Sequence, residues 1–354
     1  MAASRGGIHG EALAGIFRAA ELYRAIQGAV MKALVSALEK EAVSPELVRL
    51  IATIVAITRT IAEQVRYGAL GETLGATVTE NVQGEVQKKL DVIANNLLID
   101  ALVAQGSVRA IASEEEAHTI EGVQGAPYLV AFDPLDGSSN IDINAQIGTI
   151  FTIFNARDDV PAASDAQFFQ QGTQQCCAGY VLYGPYTTLM LTMGKVVHEF
   201  TLNPQSGEFV RSHSPVNLPA GKREFAVNMA NFYYWPQTFQ HYILTLIAPK
   251  PDSERFNMRW QGAMVGDVHR VLTRGGIFMY PCDCRNPDQP ARLRLLYEAF
   301  PMGLLIEAAG GRAYSESERT LTRQLTHLHQ RVPVTLGDKT FVEAYLLSFS
   351  KALA

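Results

Sequence analysis

Phe132-Asp133-Pro134-Leu135-Asp136-Gly137-Ser138-Ser139-Asn140 is the stretch on which the reading of the whole chain turns. It continues Tyr128-Leu129-Val130-Ala131, a short apolar run that reads as a buried strand. Asp133 and Asp136, at the end of that strand, point into a common space, and Pro134 stiffens the bend between them. Two bare carboxylates so close repel each other, so a cation is their natural occupant. Gly137-Ser138-Ser139 then offers successive backbone N–H groups, with no side chain on Gly137 to block close approach. A carboxylate pair beside an anion cradle is what metal-assisted phosphoester hydrolysis needs. The competing reading is an Asx-turn capping a helix, which leaves the two acids around a proline unexplained.

Further acids lie outward from this stretch. Ser113-Glu114-Glu115-Glu116 follows the apolar Val108 to Ala112 and alone reads as a solvated helix start. Asp91 alone reads as a helix-surface residue. Glu298 sits within an apolar helical pattern, where a lone acid needs a partner. One oxygen-ligand site explains them jointly.

The surrounding pattern is helical first and mixed later. Apolar residues recur at helical spacing from Glu11 to Lys40. A second helix starts at Ser44-Pro45-Glu46, with Ser44 as N-cap and Pro45 in the first position, and Gly68 ends it after about Arg66. A third covers Gln87 to Ala104. Strands are expected over 128–132, 147–154, 179–183, 188–193 and 196–202, joined as a meander by Met193-Gly194-Lys195 and Pro204-Gln205-Ser206-Gly207. Ser212 to Lys222, with Pro215, Pro219 and Gly221, reads as a domain linker. Beyond it, helices at 235–247, 265–274, 293–309 and 340–350 alternate with strands at 277–280 and 332–336. This is a layered α/β protein of two lobes.

Composition sets outer limits. The chain has 354 residues, 47% hydrophobic and 18% charged, which supplies a globular core for one large or two ordinary domains. A net charge of -5 argues against nucleic acid as a partner, while a local basic cluster for phosphate stays open. No apolar run reaches the length of a membrane span, and Met1 to Gly7 lacks the order of a secretory signal. The cysteines form two tight pairs, Cys176/Cys177 and Cys282/Cys284, neither with zinc-knuckle spacing. Buried thiols in a reducing cytoplasm are the expectation.

Several motifs together resemble class I fructose-1,6-bisphosphatase, within the inositol monophosphatase superfamily. They are the runs Asp133 to Asp142, Asn81 to Asp91, Ser113-Glu114-Glu115, Gly275 to Pro281, Leu293 to Glu298 and His329-Gln330-Arg331-Val332-Pro333. The likeness runs from about Ser44 to the end. It implies an α/β (α+β) fold, a layered α-β-α-β-α sandwich. Residues 1–212 would form an N-terminal domain with the metal and phosphate motifs, and 217–354 a C-terminal sugar-bisphosphate-binding domain. It also implies that Glu114, Asp133, Asp136, Glu298 and the Leu135 carbonyl bind magnesium, with manganese as an alternative and Glu85 at a further metal position. Asp91 with Glu115 would activate water. Gly137, Ser138 and Ser139 would hold the 1-phosphate. Asn228, Trp260, Tyr280, Arg292 and Arg294 would surround the sugar and 6-phosphate. Arg259 would reach into a neighbouring subunit of a cytoplasmic homotetramer.

The implied reaction converts fructose 1,6-bisphosphate to fructose 6-phosphate and phosphate, a step common to gluconeogenesis and the reductive pentose phosphate (Calvin) cycle. Sedoheptulose 1,7-bisphosphate is an alternative or second substrate, and a catalytically silent sugar-phosphate sensor is a remote one. Trp260 stands where the family has tyrosine, and Arg292 where it has lysine; both changes surround the far phosphate. The family's AMP-binding helix start appears here as Ser44-Pro45-Glu46-Leu47-Val48. Pro45 removes an N–H donor and Val48 a hydroxyl. Pro127 and Asn155 stand where the family has cations. Weak or absent AMP inhibition is therefore expected. The plastid-type cysteine insertion is missing between Phe154 and Cys176, so activity should respond little to dithiols.

Overall fold

The structure is a computed structural model that describes residues 32–71, 75–80, 86–252 and 254–352. The chain enters through α1 (Lys32–Lys40) and α2 (Pro45–Tyr67). Most of the first expected helix, before Lys32, lies outside the described residues. α2 begins as its sequence dictates: Ser44 Oγ accepts the Leu47 N–H at 3.1 Å, Pro45 takes the first position, and Gly68 follows the last turn at φ 50°. A ribbon of β1 (Ala76–Glu80) and β2 (Val86–Lys88) leads into α3 (Lys89–Gln105). The third helix was expected from Gln87. It starts at Lys89 because Gln87 and Lys88 extend the ribbon, and the Lys88 N–H is capped by Asp91 Oδ2 at 2.9 Å.

The first large sheet comprises β3 (Val108–Ser113), β4 (Ile120–Glu121), β5 (Tyr128–Asp136), β6 (Ile147–Asn155), β7 (Gln175–Tyr183), β8 (Thr187–Thr192), β9 (Val197–Leu202) and β10 (Phe209–His213). Their spatial order is β10-β9-β8-β7-β6-β5-β3-β4; β3 and β5 run parallel and the other neighbours antiparallel. Across the 212–222 crossing, the Val216 N–H bonds to Val197 C=O at 2.9 Å and the Leu218 N–H to Ala309 C=O at 2.9 Å. The chain then runs through β11 (Glu224–Ala226), α4 (Gln237–Ile247), β12 (Asn257–Met258), α5 (Met264–Arg274), β13 (Ile277–Tyr280), β14 (Leu293–Arg294), α6 (Phe300–Ala308), β15 (Arg312–Ser315), β16 (Glu318–Arg319), β17 (Arg331–Val332), β18 (Val334–Gly337) and α7 (Lys339–Ala352). The second large sheet has the order β12-β11-β13-β18-β15-β16.

Strand alternation explains the layering. Along β6, Ile150 and Phe154 face one apolar cluster while Phe151 and Ile153 face another. Along β13, Phe278 faces inward while Ile277 and Met279 face outward. The cluster on the Phe151 and Ile153 side holds α1, α2 and α3 against the outer face of the first sheet. The second lies between the sheets and includes Val265 and Val268 of α5 and Phe300 and Leu305 of α6. The third packs α4 and α7 on the far face of the second sheet. The result is the expected α-β-α-β-α order. No helix among the described residues is long and apolar enough to cross a membrane.

Three further local expectations need correction. The helix expected over 293–309 is helical only from Leu295. Leu293–Arg294 pairs with β17, and Leu295–Ala299 forms a wider turn closed by Phe300 N–H to Leu295 C=O before α6 begins. Pro301 has no N–H to return to Tyr297, so regular spacing breaks at this point. The strand expected over 332–336 divides at Pro333 for the same reason: it has no ladder donor. The cysteines are free thiols, but only Cys177 is buried; Cys176 and Cys282 are half-buried and Cys284 is exposed.

Candidate active site and metal centre

In a regular strand, residues 133 and 136 would face opposite sides of the sheet. A bulge in β5 prevents this. Asp133 opposes Ile150 and Asp136 opposes Gly148, so three steps along β5 match two along β6. The additional residue reverses the parity, and both carboxylates emerge together. Pro134 sits inside the bulge, where no ladder donor is needed, and its carbonyl accepts the Thr149 hydroxyl at 2.8 Å. Glu298, in the turn before α6, completes the group: carboxylate oxygens of Asp133, Asp136 and Glu298 all lie within 4.8 Å of one another, and all three residues are buried.

Glu114 arrives from the adjacent strand. Its N–H bonds to Phe132 C=O at 3.1 Å, which continues the parallel pairing of β3 with β5 past Ser113. It is buried, so the solvated helix start is not what forms here. Burial, then Glu114, Asp136 and Glu298, push the Asp133 carboxyl well above the usual range. Burial pushes Asp136 up to about 6, against the pull of the Val265 N–H, which donates to Asp136 Oδ2 at 2.6 Å. That amide belongs to the first turn of α5, whose dipole favours a carboxylate there. Crowded, buried carboxylates with raised pKa values fit a hard divalent cation bound through oxygen.

Asp91 lies in the first turn of α3. Its Oδ2 caps Lys88, whereas its Oδ1 is buried and has no hydrogen-bond partner among the described residues. Burial, reinforced by Glu115 and opposed by the Lys88 N–H, pushes this carboxyl up to about 7. Glu115 follows Glu114 on a tethered loop: Ser113 Oγ accepts the Glu115 N–H at 3.2 Å, and Asn95 Nδ2 donates to Glu116 at 2.8 Å. Glu85 lies outside the described residues.

After the bulge, Gly137 takes φ 83° and a tight turn follows over Ser138–Asn140. The first N–H of this turn to find a carbonyl is that of Asn140, bonded to Gly137 at 2.7 Å. Asn140 Nδ2 also holds Gln146 and Gln261 carbonyls at 2.9 and 3.2 Å. A cavity of about 320 Å³ opens beside it, lined by Asp136, Ser139, Asn228, Trp260, Gly262, Met264, Phe278, Tyr280 and Leu293. Trp260 lies parallel to Phe278, at 6.2 Å between centroids, and next to Tyr280 at 6.0 Å.

The three arginines go to different places. Leu293 faces the cavity, and alternation along β14 turns its neighbours elsewhere. Arg294 is buried, and its Nη2 lies 2.5 Å from Glu114. Arg292 lines a second cavity of about 280 Å³ with Asp283, Arg285 and Arg331. Tyr280 lines the first cavity: burial raises its pKa, and Arg292 and Arg285 oppose the rise. Arg259 is exposed beyond β12, the edge of the second sheet.

Sequence reasoning did not foresee that the start of α5 braces the site. Asp267 accepts the Gln261 N–H at 3.0 Å and so fixes the turn ahead of Val265. The available signal was an acid in the first turn of an amphipathic helix preceded by Gly262.

Residues 29–214 match the family model for the fructose-1,6-bisphosphatase N-terminal domain, and residues 218–348 match that for its C-terminal domain. The chain belongs to the fructose-1,6-bisphosphatase family. It is 56% identical over 322 residues to a fructose-1,6-bisphosphatase class 1 of Cellvibrio japonicus, across 90% of this chain and 100% of that protein. It is 50% identical to that of Colwellia psychrerythraea, across 89% and 99%. Among solved structures, the holo form of Leishmania major fructose-1,6-bisphosphatase is similar, with a TM-score of 0.85, 36% identity, and 90% and 99% coverage.

Proposed function

We infer that this protein is a class 1 fructose-1,6-bisphosphatase, which hydrolyses fructose 1,6-bisphosphate at its 1-phosphate to give fructose 6-phosphate and phosphate. The observation that carries the reading is the β5 bulge, which sets Asp133 and Asp136 on one side with Glu298, Asp136 also lining a cavity of about 320 Å³. Asp133, Asp136, Glu298, Glu114 and the Leu135 carbonyl would hold magnesium or manganese, with Glu85 at a further position. When bound, such a cation would neutralise phosphate charge and act as a Lewis acid on the phosphoryl oxygens.

The remaining roles belong to the chain itself. The 1-phosphate sits against the amides of Gly137, Ser138 and Ser139. The sugar lies in the cavity between Asn228, Trp260 and Tyr280, and Arg292 reaches the far phosphate from beyond Tyr280. Asp91, with a pKa about 7, takes the proton of the attacking water with Glu115 beside it. The water oxygen bonds to phosphorus as the bond from phosphorus to the sugar oxygen breaks, and the departing sugar oxygen takes a proton from solvent. Arg294 neutralises Glu114. Arg259, exposed at a sheet edge, is suited to complete a neighbouring subunit's site in a homotetramer, and a cytoplasmic setting fits the free thiols.

Phosphate release from fructose 1,6-bisphosphate and from sedoheptulose 1,7-bisphosphate, with magnesium, manganese or chelator, is the test. Fructose bisphosphate should be the better substrate, and chelator should abolish turnover. Asp136→Ala should lower kcat by about 10²-fold or more. Unchanged activity and magnesium dependence in that variant would remove Asp136 from the site.

A further inference from the structure

Two of the three segments that carry acids of the metal centre, the Glu114 loop and the Glu298 turn, are far apart in the chain, and one short segment holds both. His329 Nε2 lies 2.9 Å from the Glu116 carbonyl, two residues past Glu114. The carbonyl of the next residue, Gln330, accepts the Leu295 N–H at 2.7 Å, three residues before Glu298. Arg331 then pairs with Arg294 in the short β14–β17 ladder. Consecutive residues thus tie the Glu114 loop on one side and the Glu298 turn on the other.

A carbonyl only accepts, so the proton sits on His329 Nε2. Nδ1 is left as the acceptor, beside Tyr297 at 5.5 Å between ring centroids. Both Nδ1 and the Tyr297 hydroxyl are buried without a hydrogen-bond partner among the described residues. Burial lowers the His329 pKa, which keeps the ring neutral and its tautomer set by the Glu116 bond.

We propose that His329 is a positioning residue for the metal centre: its Nε2–H holds the Glu114–Glu116 loop at the distance from Glu298 that the cation requires. The proposal rests on the metal-dependent phosphatase reading, yet it makes a claim that can be read without turnover. Metal ligands depend on the groups that orient them, and loss of such a group typically weakens metal binding about 10–100-fold.

The test is Mn²⁺ titration of the chelator-treated protein, followed by electron paramagnetic resonance of the free ion, on His329→Ala, His329→Gln and His329→Asn. Gln carries an N–H at about the reach of Nε2; Asn does not. His329→Ala and His329→Asn should bind Mn²⁺ about 10-fold or more weakly, and magnesium half-saturation of activity should rise in parallel. The kcat at saturating magnesium and the KM for sugar bisphosphate should stay within about threefold of the parent. His329→Gln should recover most of the lost affinity. If His329→Ala fails to fold, the Gln-against-Asn comparison still decides. Parent-like Mn²⁺ affinity in His329→Asn would overturn the proposal, as would equal losses in Asn and Gln. A parent protein that binds Mn²⁺ but releases no phosphate would sink the phosphatase reading, and the His329 comparison would still be decided by Mn²⁺ affinity.

Discussion

Gly137→Ala isolates the contact that joins the phosphate turn to the helix bracing Asp136. Gly137 has φ 83°, and a Cβ added there would lie 2.4 Å from Ala263 Cβ and 3.3 Å from the Gln146 carbonyl oxygen. Carbon atoms in contact sit about 3.5–4.0 Å apart, so the two backbones must part by about 1 Å or more. Ala263 immediately precedes α5, and Val265, two residues on, donates to Asp136 at 2.6 Å. The displacement is therefore delivered to a metal carboxylate. The left-handed conformation costs an alanine about 1–2 kcal/mol, and overpacking adds about 1–3, for a total of about 2–5 kcal/mol. A shift of this size at a reacting centre lowers turnover by about 10²-fold. Guanidinium unfolding and kcat should be measured for Gly137→Ala, Ala263→Gly and the double variant. Ala263→Gly relieves the steric part alone and stays compatible with a helix start. The double variant should thus regain about 1–3 kcal/mol and keep the remaining loss. Gly137→Ala with parental stability and turnover, or a double variant that regains nothing, would refute the reasoning.

Three other outcomes follow from the same geometry. Without metal, Asp136 holds its proton up to about 6, against 3.8 in the unfolded chain. That contribution to stability is complete below 3.8 and is lost as pH rises through about 6. Metal replaces the proton, so the gain in unfolding free energy on adding magnesium should be small near pH 4 and grow through pH 6–7; equal gains at both ends would contradict this. Arg259→Ala should raise the KM for fructose 1,6-bisphosphate strongly and leave the magnesium half-saturation unchanged, and light scattering should show an oligomer; a monomer with parental KM would count against a shared site. Micromolar AMP should leave the rate at saturating magnesium unchanged, because Pro45 lacks a donor and Ser44 Oγ is already engaged by the Leu47 N–H at 3.1 Å and the Tyr128 hydroxyl at 2.9 Å; half-maximal inhibition in that range would reverse the assignment.

Local signals were legible where one segment decides its own structure. Ser44 and Pro45 cap α2 as their chemistry requires, and the apolar run at Tyr128 is a buried strand. The features that were not legible depend on a second segment. The bulge at Pro134 is defined by the register against β6, so the sequence of β5 suggests that Asp133 and Asp136 converge without showing how. Glu114 is buried because β3 runs beside β5, a pairing that nothing in Glu114-Glu115-Glu116 announces. The 293–309 stretch carries helical periodicity, yet Leu295 gives its N–H to Gln330, and so β14 precedes the helix. Arg294 faces Glu114 rather than the cavity as a consequence of that short strand.

These failures have a common physical source, and it bears on how the site works. Buried carboxylates that repel one another cannot assemble from their own attraction, so rigid neighbours must bring them together. Asp133 and Asp136 are fixed by a bulge between β3 and β6, Glu114 by the end of β3, and Glu298 by the turn into α6 between the sheets. The Asp136–Val265 bond and the His329–Glu116 bond each join parts of the chain more than 100 residues apart. Their energy goes into holding like charges at a spacing that a bound cation, or a proton in its place, relieves. Substitutions that loosen these bonds should thus weaken metal binding before they disturb the sugar pocket, because Asn228, Trp260 and Tyr280 are set by the second sheet and its flanking turns.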